Sequence, residues 1–599
     1  MIKLLSGNEA LALGAYHAGV SVAAAYPGTP STEILESLAR FSDIHAEWST
    51  NEKVAMEVAL GASYAGARAM VSMKHVGLNV ASDAFMAASM TGVNAGLVVV
   101  SADDPGVHSS QSEQDNRHYA KFARVPLLEP TDSQEAYNLM AYAFDISEKF
   151  DTLVMVRTTT RISHSKSVVK ISRGRMAPAN KPGFRHDIKK YVMLPAYARL
   201  RFPFTEERLV RLAAYAETFP LNQVLRGERR LGVVTSGVAY QYAREVFPKA
   251  SFLKLGMTYP LPQKLLRNFA EQVDRVIVIE ELDPFLEENI QVLGIKVSGK
   301  EFIPRIGELN TRIVEEGSHS AGLAVGTPSP KADIASELPK RPPLLCPGCP
   351  HSGIFFVLSS IGQRAKLLDS EGKAIKESKL IITGDIGCYT LATYPPLLAM
   401  DTCACMGASI GQALGMEKAG IGNKVVAVIG DSTFMHSGIT GLVSAVYNKG
   451  QITVIILDNC TTAMTGHQDH PGTGISAQGE ITRAVELESL VRGIGVRDVK
   501  VVDAFNMKEL RANVKSSLDS PELSVIIVRG VCSVRLPERS KPRVIVVDKC
   551  NQCGACLLIG CPAIQRDDEK VGIDASLCVG DACTICEQIC PRQAICPAD

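Results

Sequence analysis

Lys424-Val-Val-Ala-Val-Ile-Gly430-Asp431-Ser432 is an apolar run ending in a Gly-Asp turn, and together with its continuation to Asn459 it decides the fold. A polar, glycine-bearing segment from Thr433 to Gly450 leads to a second apolar run, Ile452 to Leu457, which ends in Asp458-Asn459. Short unbroken apolar runs of this kind predict buried parallel strands. Asp431 and Asn459, 28 positions apart, then stand at the C-terminal ends of those strands, where open α/β sheets collect ligands. A carboxylate and a carboxamide there, with backbone carbonyls nearby, suit a hard cation such as Mg²⁺, and Mg²⁺ suits a bound diphosphate. An ordinary strand–helix–strand unit with a Gly-Asp turn carries the same pattern.

A chain of 599 residues allows three or four domains. The chain is 46% hydrophobic and 21% charged, with zero formal net charge and no long run of one sign. Neither nucleic acid nor a membrane surface is therefore an expected partner. No apolar run reaches about 18 residues, so no membrane span is expected. The N-terminal stretch lacks an h-region and cleavage site, and a cytoplasmic protein is expected. Sixteen cysteines need a reason: residues 1–345 hold none, and nine lie in the last 50 positions. Without an export signal, metal or cluster ligation is a better reading than disulfides.

The cysteine spacing is specific. Cys550-x2-Cys553-x2-Cys556-x4-Cys561-Pro562 is followed by Cys578-x4-Cys583-x2-Cys586-x3-Cys590-Pro591. This is the duplicated bacterial ferredoxin pattern, in which the fourth cysteine of each run ligates the other cluster. One [4Fe–4S] cluster would take Cys550, Cys553, Cys556 and Cys590; the second would take Cys578, Cys583, Cys586 and Cys561. Two spacings are a residue or two longer than usual. Upstream, Cys346-Pro-Gly-Cys349 opens a domain, Cys388 follows a strand and a glycine turn, and Cys532 follows another strand. These four thiols can converge on a third [4Fe–4S] cluster; a zinc site or buried thiols are the alternatives. Cys403, Cys405, Cys460 and Cys596 have no assigned partner.

The opening stretch resembles the thiamine-diphosphate signature, Gly-Asp-Gly followed about 25 residues later by Asn-Asn, with Ser432 and Asp458 as departures. The resemblance implies that Gly430, Asp431, Ser432, Asn459 and Thr461 bind the cofactor. Asp431, Asn459 and the Thr461 carbonyl would hold Mg²⁺. In thiamine enzymes a bulky apolar residue about 25 positions before the metal aspartate bends the cofactor; Met406 stands there. A core methionine fits the same neighbours. His436 is a candidate to approach the diphosphate or substrate, while His467 and His470 are loop histidines without a role.

The N-terminal region resembles the pyrimidine-binding domain of the 2-oxoacid:ferredoxin oxidoreductases. Trp48-Ser-Thr-Asn-Glu52 precedes a small-residue helix, and by that likeness Glu52 hydrogen-bonds the aminopyrimidine; a plain helix cap is the bland alternative. Glu57 lies inside the helix pattern and is expected to pack or pair. Thr29, in the Thr29-Pro-Ser turn, would face the substrate. Ser31 or Thr32 is expected to cap the next helix. His108, Ser109, Gln111 and Arg117, on a polar loop, are weaker substrate candidates. Ser236-Gly237 is a possible anion site at a helix N-terminus.

The expected architecture is α/β. It has a pyrimidine-binding domain over 1–165, a crossover linker over 166–228 with a helix near Thr205–Thr218, and a transketolase C-terminal-like domain over 229–325. A linker over 326–340, in a Ser/Gly/Pro-rich stretch that starts at Gly317, precedes a diphosphate-binding domain over 341–540. A small 2[4Fe–4S] ferredoxin domain fills 541–599. Both thiamine-type domains are expected to be doubly wound parallel sheets. The order of parts most resembles, within that family, the large subunits that act on arylpyruvates: indolepyruvate, phenylpyruvate or hydroxyphenylpyruvate. The resemblance implies oxidative decarboxylation with coenzyme A and external ferredoxin, and a smaller beta subunit as partner. Aliphatic 2-oxoacids as substrates, or an electron-transfer subunit with a non-catalytic thiamine-type fold, are the alternatives.

Overall fold

The computed structural model describes residues 1–172, 174–176, 183–323, 343–363, 380–537, 540–567 and 570–598. The linker expected over 326–340 lies outside them. The chain divides into two compact units, Met1–Ile334 with Ala477–Gly479, and Ala335–Ser476 with Glu480–Asp599.

The first unit holds a seven-stranded sheet. Its spatial order is Met257–Tyr259, Leu127–Leu128, Val154–Thr159, Leu97–Asp103, Ala69–Lys74, Val22–Ala25, His45–Trp48. All neighbours are parallel except at the Met257–Tyr259 edge. Leu97–Asp103 and Val154–Thr159 are buried along their whole length. Helices Gly7–His17 and Ser133–Phe150 supply one core on the sheet, and Glu52–Tyr64 and His75–Thr91 another. Strands covered on both faces read as unbroken apolar runs rather than as alternation.

Local caps set the helices that carry the site. Ser6 and Glu9 form a reciprocal capping box. Asn51, not Glu52, caps Glu52–Tyr64, its side chain accepting from the Val54 N–H at 2.9 Å. At Thr32–Leu38 the Ser31 side chain makes no capping bond; its hydroxyl donates to the Gly28 carbonyl at 2.8 Å instead.

The second sheet of this unit is ordered Val297–Ser298, Val276–Ile279, Glu228–Ser236, Ala250–Leu255, Gln223–Leu225, and is parallel except for the last strand. The segment read as a crossover linker carries regular structure. Lys166–Lys170 pairs antiparallel with Ile2–Ser6, and Pro195–Ala216 is a 22-residue helix, longer than expected. Gly317–Ser320, read as the start of a linker, closes the helix Thr311–Ser320.

The second unit contains an all-parallel sheet ordered Leu380–Thr383, Lys424–Gly430, Thr453–Asp458, Ser524–Arg529, Asp498–Asp503. Gly430 pairs with Leu457, so Asp431 and Asp458-Asn459 leave the sheet side by side. The C-terminal segment adds two antiparallel pairs, Arg543–Ile545 with Ile595–Pro597 and Ile564–Asp567 with Lys570–Ile573. Ile559, Ile564, Val571 and Ile585 from this segment join one core of the sheet. No helix among the described residues is long and apolar enough to cross a membrane.

Candidate functional site

Asp431 is 2% exposed at the end of Lys424–Gly430. Its Oδ2 accepts the N–H groups of Asn459 (3.1 Å) and Cys460 (2.9 Å), and its Oδ1 accepts that of Ser432 (2.8 Å). These bonds fix the carboxylate and leave Oδ1 a lone pair for a cation. Asn459 Oδ1 accepts the Thr461 N–H at 3.3 Å, and its Nδ2 donates to His351 Nε2 at 3.4 Å. Burial pushes His351 down to about 4, with Asp431 pulling the other way, so this imidazole is a neutral acceptor. His470 Nε2 stands 3.2 Å from Asp431 Oδ2, buried and not aligned for a hydrogen bond. Its Nδ1 accepts the Gly472 N–H at 3.1 Å, which leaves the proton on Nε2.

The two departures from the signature have partners of their own. Asp458 Oδ2 accepts from Arg529 Nε at 2.7 Å, and Ser432 Oγ accepts from the Thr462 hydroxyl at 2.8 Å. Gly430 has no such latitude, since a Cβ there would sit 2.7 Å from Tyr389 Cε1.

A second buried acid, Asp385, follows the strand Leu380–Thr383. Its Oδ1 accepts the N–H groups of Ile386 (2.9 Å) and Gly407 (2.8 Å), and its Oδ2 that of Ser409 (3.1 Å). It thereby caps the helix Ala408–Lys418, which begins after Gly407 at φ +85°. Met406, just before that turn, is half-buried. His436 is buried on the π-helical turn Phe434–Gly438, its Nδ1 2.6 Å from Ser437 Oγ; such turns are frequent at functional sites.

In the first unit Glu52 is 6% exposed at the first position of its helix. It packs against the first turn of His75–Thr91, where a Cβ on Gly77 would stand 2.6 Å from its Oε1. Glu57 is exposed and pairs with Lys53. Thr29 is half-buried, and its carbonyl accepts from the Ser109 hydroxyl at 3.2 Å. The loop after Leu97–Asp103 folds over Asp104, which accepts from the Ser109 N–H (2.8 Å), the Ser110 hydroxyl (2.6 Å) and the Thr160 hydroxyl (2.7 Å). His108 and Gln111 are exposed.

Two weaker candidates are corrected. Arg117 is 1% exposed and consumed: Nη1 donates to Glu280 (2.6 Å), and Nη2 to Asp115 and to the carbonyls of Glu281 and Asp283. It cannot contact a substrate, because the strand-end carboxylates after Val276–Ile279 turn inward onto it. At Ser236-Gly237 the Ser236 hydroxyl donates to Glu129 Oε2 at 3.3 Å, so a carboxylate already occupies the proposed anion turn.

The cysteines gather in three groups. Burial pushes Cys388 up to about 11, with Cys346 and Cys532 adding to it. Burial raises Cys349 further, with Cys346, Cys388 and Cys532 adding. Cys556 is raised by burial, then by Cys590, Cys550 and Cys553, and these four line one cavity. Burial pushes Cys586 up to about 12, with Cys583, Cys561 and Cys578 contributing. The Gly348 N–H reaches the Cys561 thiol, so the Cys346–Cys349 loop touches the last group. All sixteen cysteines are free thiols.

Asp385, Tyr389 and His351 escaped the sequence reading, and His470 had no role. Asp385 did carry a signal, a second strand followed by Gly-Asp. The histidines carried none, since only the folded loops bring them to Asp431 and Asn459.

Residues 385–528 match the family described as thiamine pyrophosphate enzyme, C-terminal TPP binding domain. Residues 13–201 match pyruvate flavodoxin/ferredoxin oxidoreductase, thiamine diphosphate-binding. The indolepyruvate oxidoreductase subunit IorA of Archaeoglobus fulgidus is 41% identical over 99% of this chain and 97% of that protein. That of Methanothermobacter marburgensis is 42% identical over 99% and 97%. That of Pyrococcus horikoshii is 39% identical over 98% and 96%.

Proposed function

The chain belongs to the indolepyruvate oxidoreductase IorA family of thiamine-dependent 2-oxoacid oxidoreductases, and from that membership we propose that it is the catalytic subunit of a ferredoxin-dependent arylpyruvate decarboxylase. Indolepyruvate, phenylpyruvate and hydroxyphenylpyruvate are its substrates. Coenzyme A takes the acyl group, and the products are arylacetyl-CoA, CO₂ and reduced ferredoxin. A smaller beta subunit completes the enzyme.

The observation that carries the reading is Asp431, held by three backbone N–H groups at the end of a central parallel strand, beside Asn459 and Thr461. Asp431, the Asn459 carboxamide and the Thr461 carbonyl offer oxygen, which suits Mg²⁺. His470 offers a buried Nε2–H without a hydrogen bond, suited to an oxygen of a bound diphosphate. When bound, thiamine diphosphate supplies a carbon nucleophile for the 2-oxoacid carbonyl and an electron sink as CO₂ departs. Glu52 would hold a proton against a ring nitrogen of the pyrimidine. Met406 would prop the bent cofactor, Thr29 would face the substrate, and His436 would lie toward the reacting end.

Two crossed sets of four thiols support two [4Fe–4S] clusters in a C-terminal ferredoxin domain, and the Cys346, Cys349, Cys388 and Cys532 group supports a third. Among the described residues no three thiol sulfurs lie within 4.8 Å of one another. Zinc–sulfur bonds of about 2.3 Å would demand closer packing. The clusters would pass electrons singly to ferredoxin.

The test is viologen reduction by the anoxic complex of this chain with its beta subunit, given thiamine diphosphate, Mg²⁺ and coenzyme A. Reduction dependent on indolepyruvate, and much weaker with pyruvate, is expected. Preference for pyruvate would reassign the substrate to aliphatic acids, and no reduction with any 2-oxoacid would leave only an electron-transfer subunit.

A further inference from the structure

Lys74 ends the strand Ala69–Lys74, directly before the helix His75–Thr91. Among the described residues its ammonium makes one hydrogen bond, to the Ser109 carbonyl at 2.6 Å, and no ion pair. An ammonium has three donors, so most of its bonding capacity is unspent. The hydroxyl of the same Ser109 donates to the Thr29 carbonyl. A Cβ on Gly28 would stand 3.2 Å from Lys74 Cβ, which places the lysine stem against the Gly28-Thr29 turn. Glu52 packs on the helix turn that Lys74 introduces.

The neighbouring cations are already committed. Arg117 is paired with Asp115 and Glu280, Arg157 with Asp103 and Glu129, and Arg161 with Glu308. The charged groups facing Lys74 are Asp104 and Glu52, with His75 beside it. Asp104 already accepts from Ser109, Ser110 and Thr160 and, among the described residues, makes no ion pair with Lys74. Burial lowers Lys74 to about 8, with Asp104 and Glu52 opposing the shift. Such a lysine gains from an added anion.

We propose that Lys74 binds the carboxylate of the 2-oxoacid and so makes the site select an oxoacid over a neutral carbonyl compound. The inference rests on the function proposed above. Chemistry beside the pyrimidine end, marked by Glu52, requires the substrate's reacting carbon to be held nearby, and a carboxylate one bond away is the natural handle.

The test uses the anoxic complex with the beta subunit, as wild type, Lys74→Met and Lys74→Arg. It measures KM and kcat for phenylpyruvate, and the Kd of phenyllactate, an unreactive carboxylate of similar shape, by calorimetry. Lys74→Met should raise KM and Kd by about 10- to 100-fold, the worth of a charge-assisted hydrogen bond. The Kd of thiamine diphosphate should stay unchanged. In the wild type both constants should rise about tenfold per pH unit above the lysine's value near 8, and Lys74→Arg should abolish that rise. A folded Lys74→Met variant with unchanged KM and Kd overturns the proposal. If that variant does not fold, Lys74→Gln is read in its place, and a folded Lys74→Gln with unchanged KM and Kd overturns the proposal. Wild-type turnover with an unaffected variant sinks the role of Lys74 alone, whereas a wild type inactive on every 2-oxoacid sinks the proposed function and this inference with it.

Discussion

At Asp431 a single carboxylate gathers three backbone donors and a histidine, and its environment is specific enough to predict from. Asp431→Ala should abolish Mg²⁺-dependent thiamine diphosphate binding in a titration, while the iron–sulfur spectrum stays intact. Glu52→Gln should slow turnover about 10²- to 10⁴-fold, the usual weight of a positioned acid, with cofactor affinity and cluster spectra little changed. Unchanged turnover would remove Glu52 from the chemistry. His75 provides a pH test. It is fully buried, and burial, then Lys74, push it down to about 4 from 6.5. The unfolded chain therefore binds a proton at a pH where the folded one does not. Stability from this group is complete above about 6.5 and is lost as pH falls toward 4. The thermal midpoint should drop across that window, and His75→Gln should flatten this limb.

Among the elements, the strands that announced themselves are those sealed on both faces. Lys424–Gly430 and Thr453–Asp458 appear within a residue or two of the apolar runs that begin at Lys424 and Ile452. Val154–Thr159 and Asp498–Asp503 are not legible in this way, because each mixes charged or polar residues into the run. Arg157 is the reason in the first case. It sits in a buried strand because Asp103 and Glu129 receive it at 2.6 and 2.5 Å. The same network includes Arg117, Asp115 and Glu280, all under 8% exposed. Removing one partner strands the others as buried charges, which costs about 3–5 kcal/mol. Arg117→Met should lower the urea midpoint of the first unit accordingly, and a change below about 1 kcal/mol would mean the network is wet and weak.

For the whole molecule, the cysteine groups make a quantitative expectation. Purified anoxic protein should hold about twelve irons per chain if all three groups carry [4Fe–4S] clusters. A count near eight would leave the Cys346, Cys349, Cys388 and Cys532 group empty. Cys388→Ala should then lower the count by about four in the first case and leave it unchanged in the second.

The pattern of apolar runs, the Gly-Asp and Asp-Asn strand ends and the cysteine spacing were determined by the sequence itself, because each is a local rule. A buried strand needs an apolar run, a tight strand-end turn favours Gly-Asp, and a cluster needs thiolates at set intervals. What only the tertiary structure decided depends on groups far apart in the chain. Arg117, an apparent loop cation, became the buried partner of Glu280, 163 positions away. His351, 108 positions before Asn459, came to face it. The Gly348 loop reached Cys561. Lys74, at a strand end, was left among the described residues with one hydrogen bond to the Ser109 carbonyl, 35 positions away, and no ion pair. Such contacts depend on which surfaces pack together, and no window of local sequence contains that information.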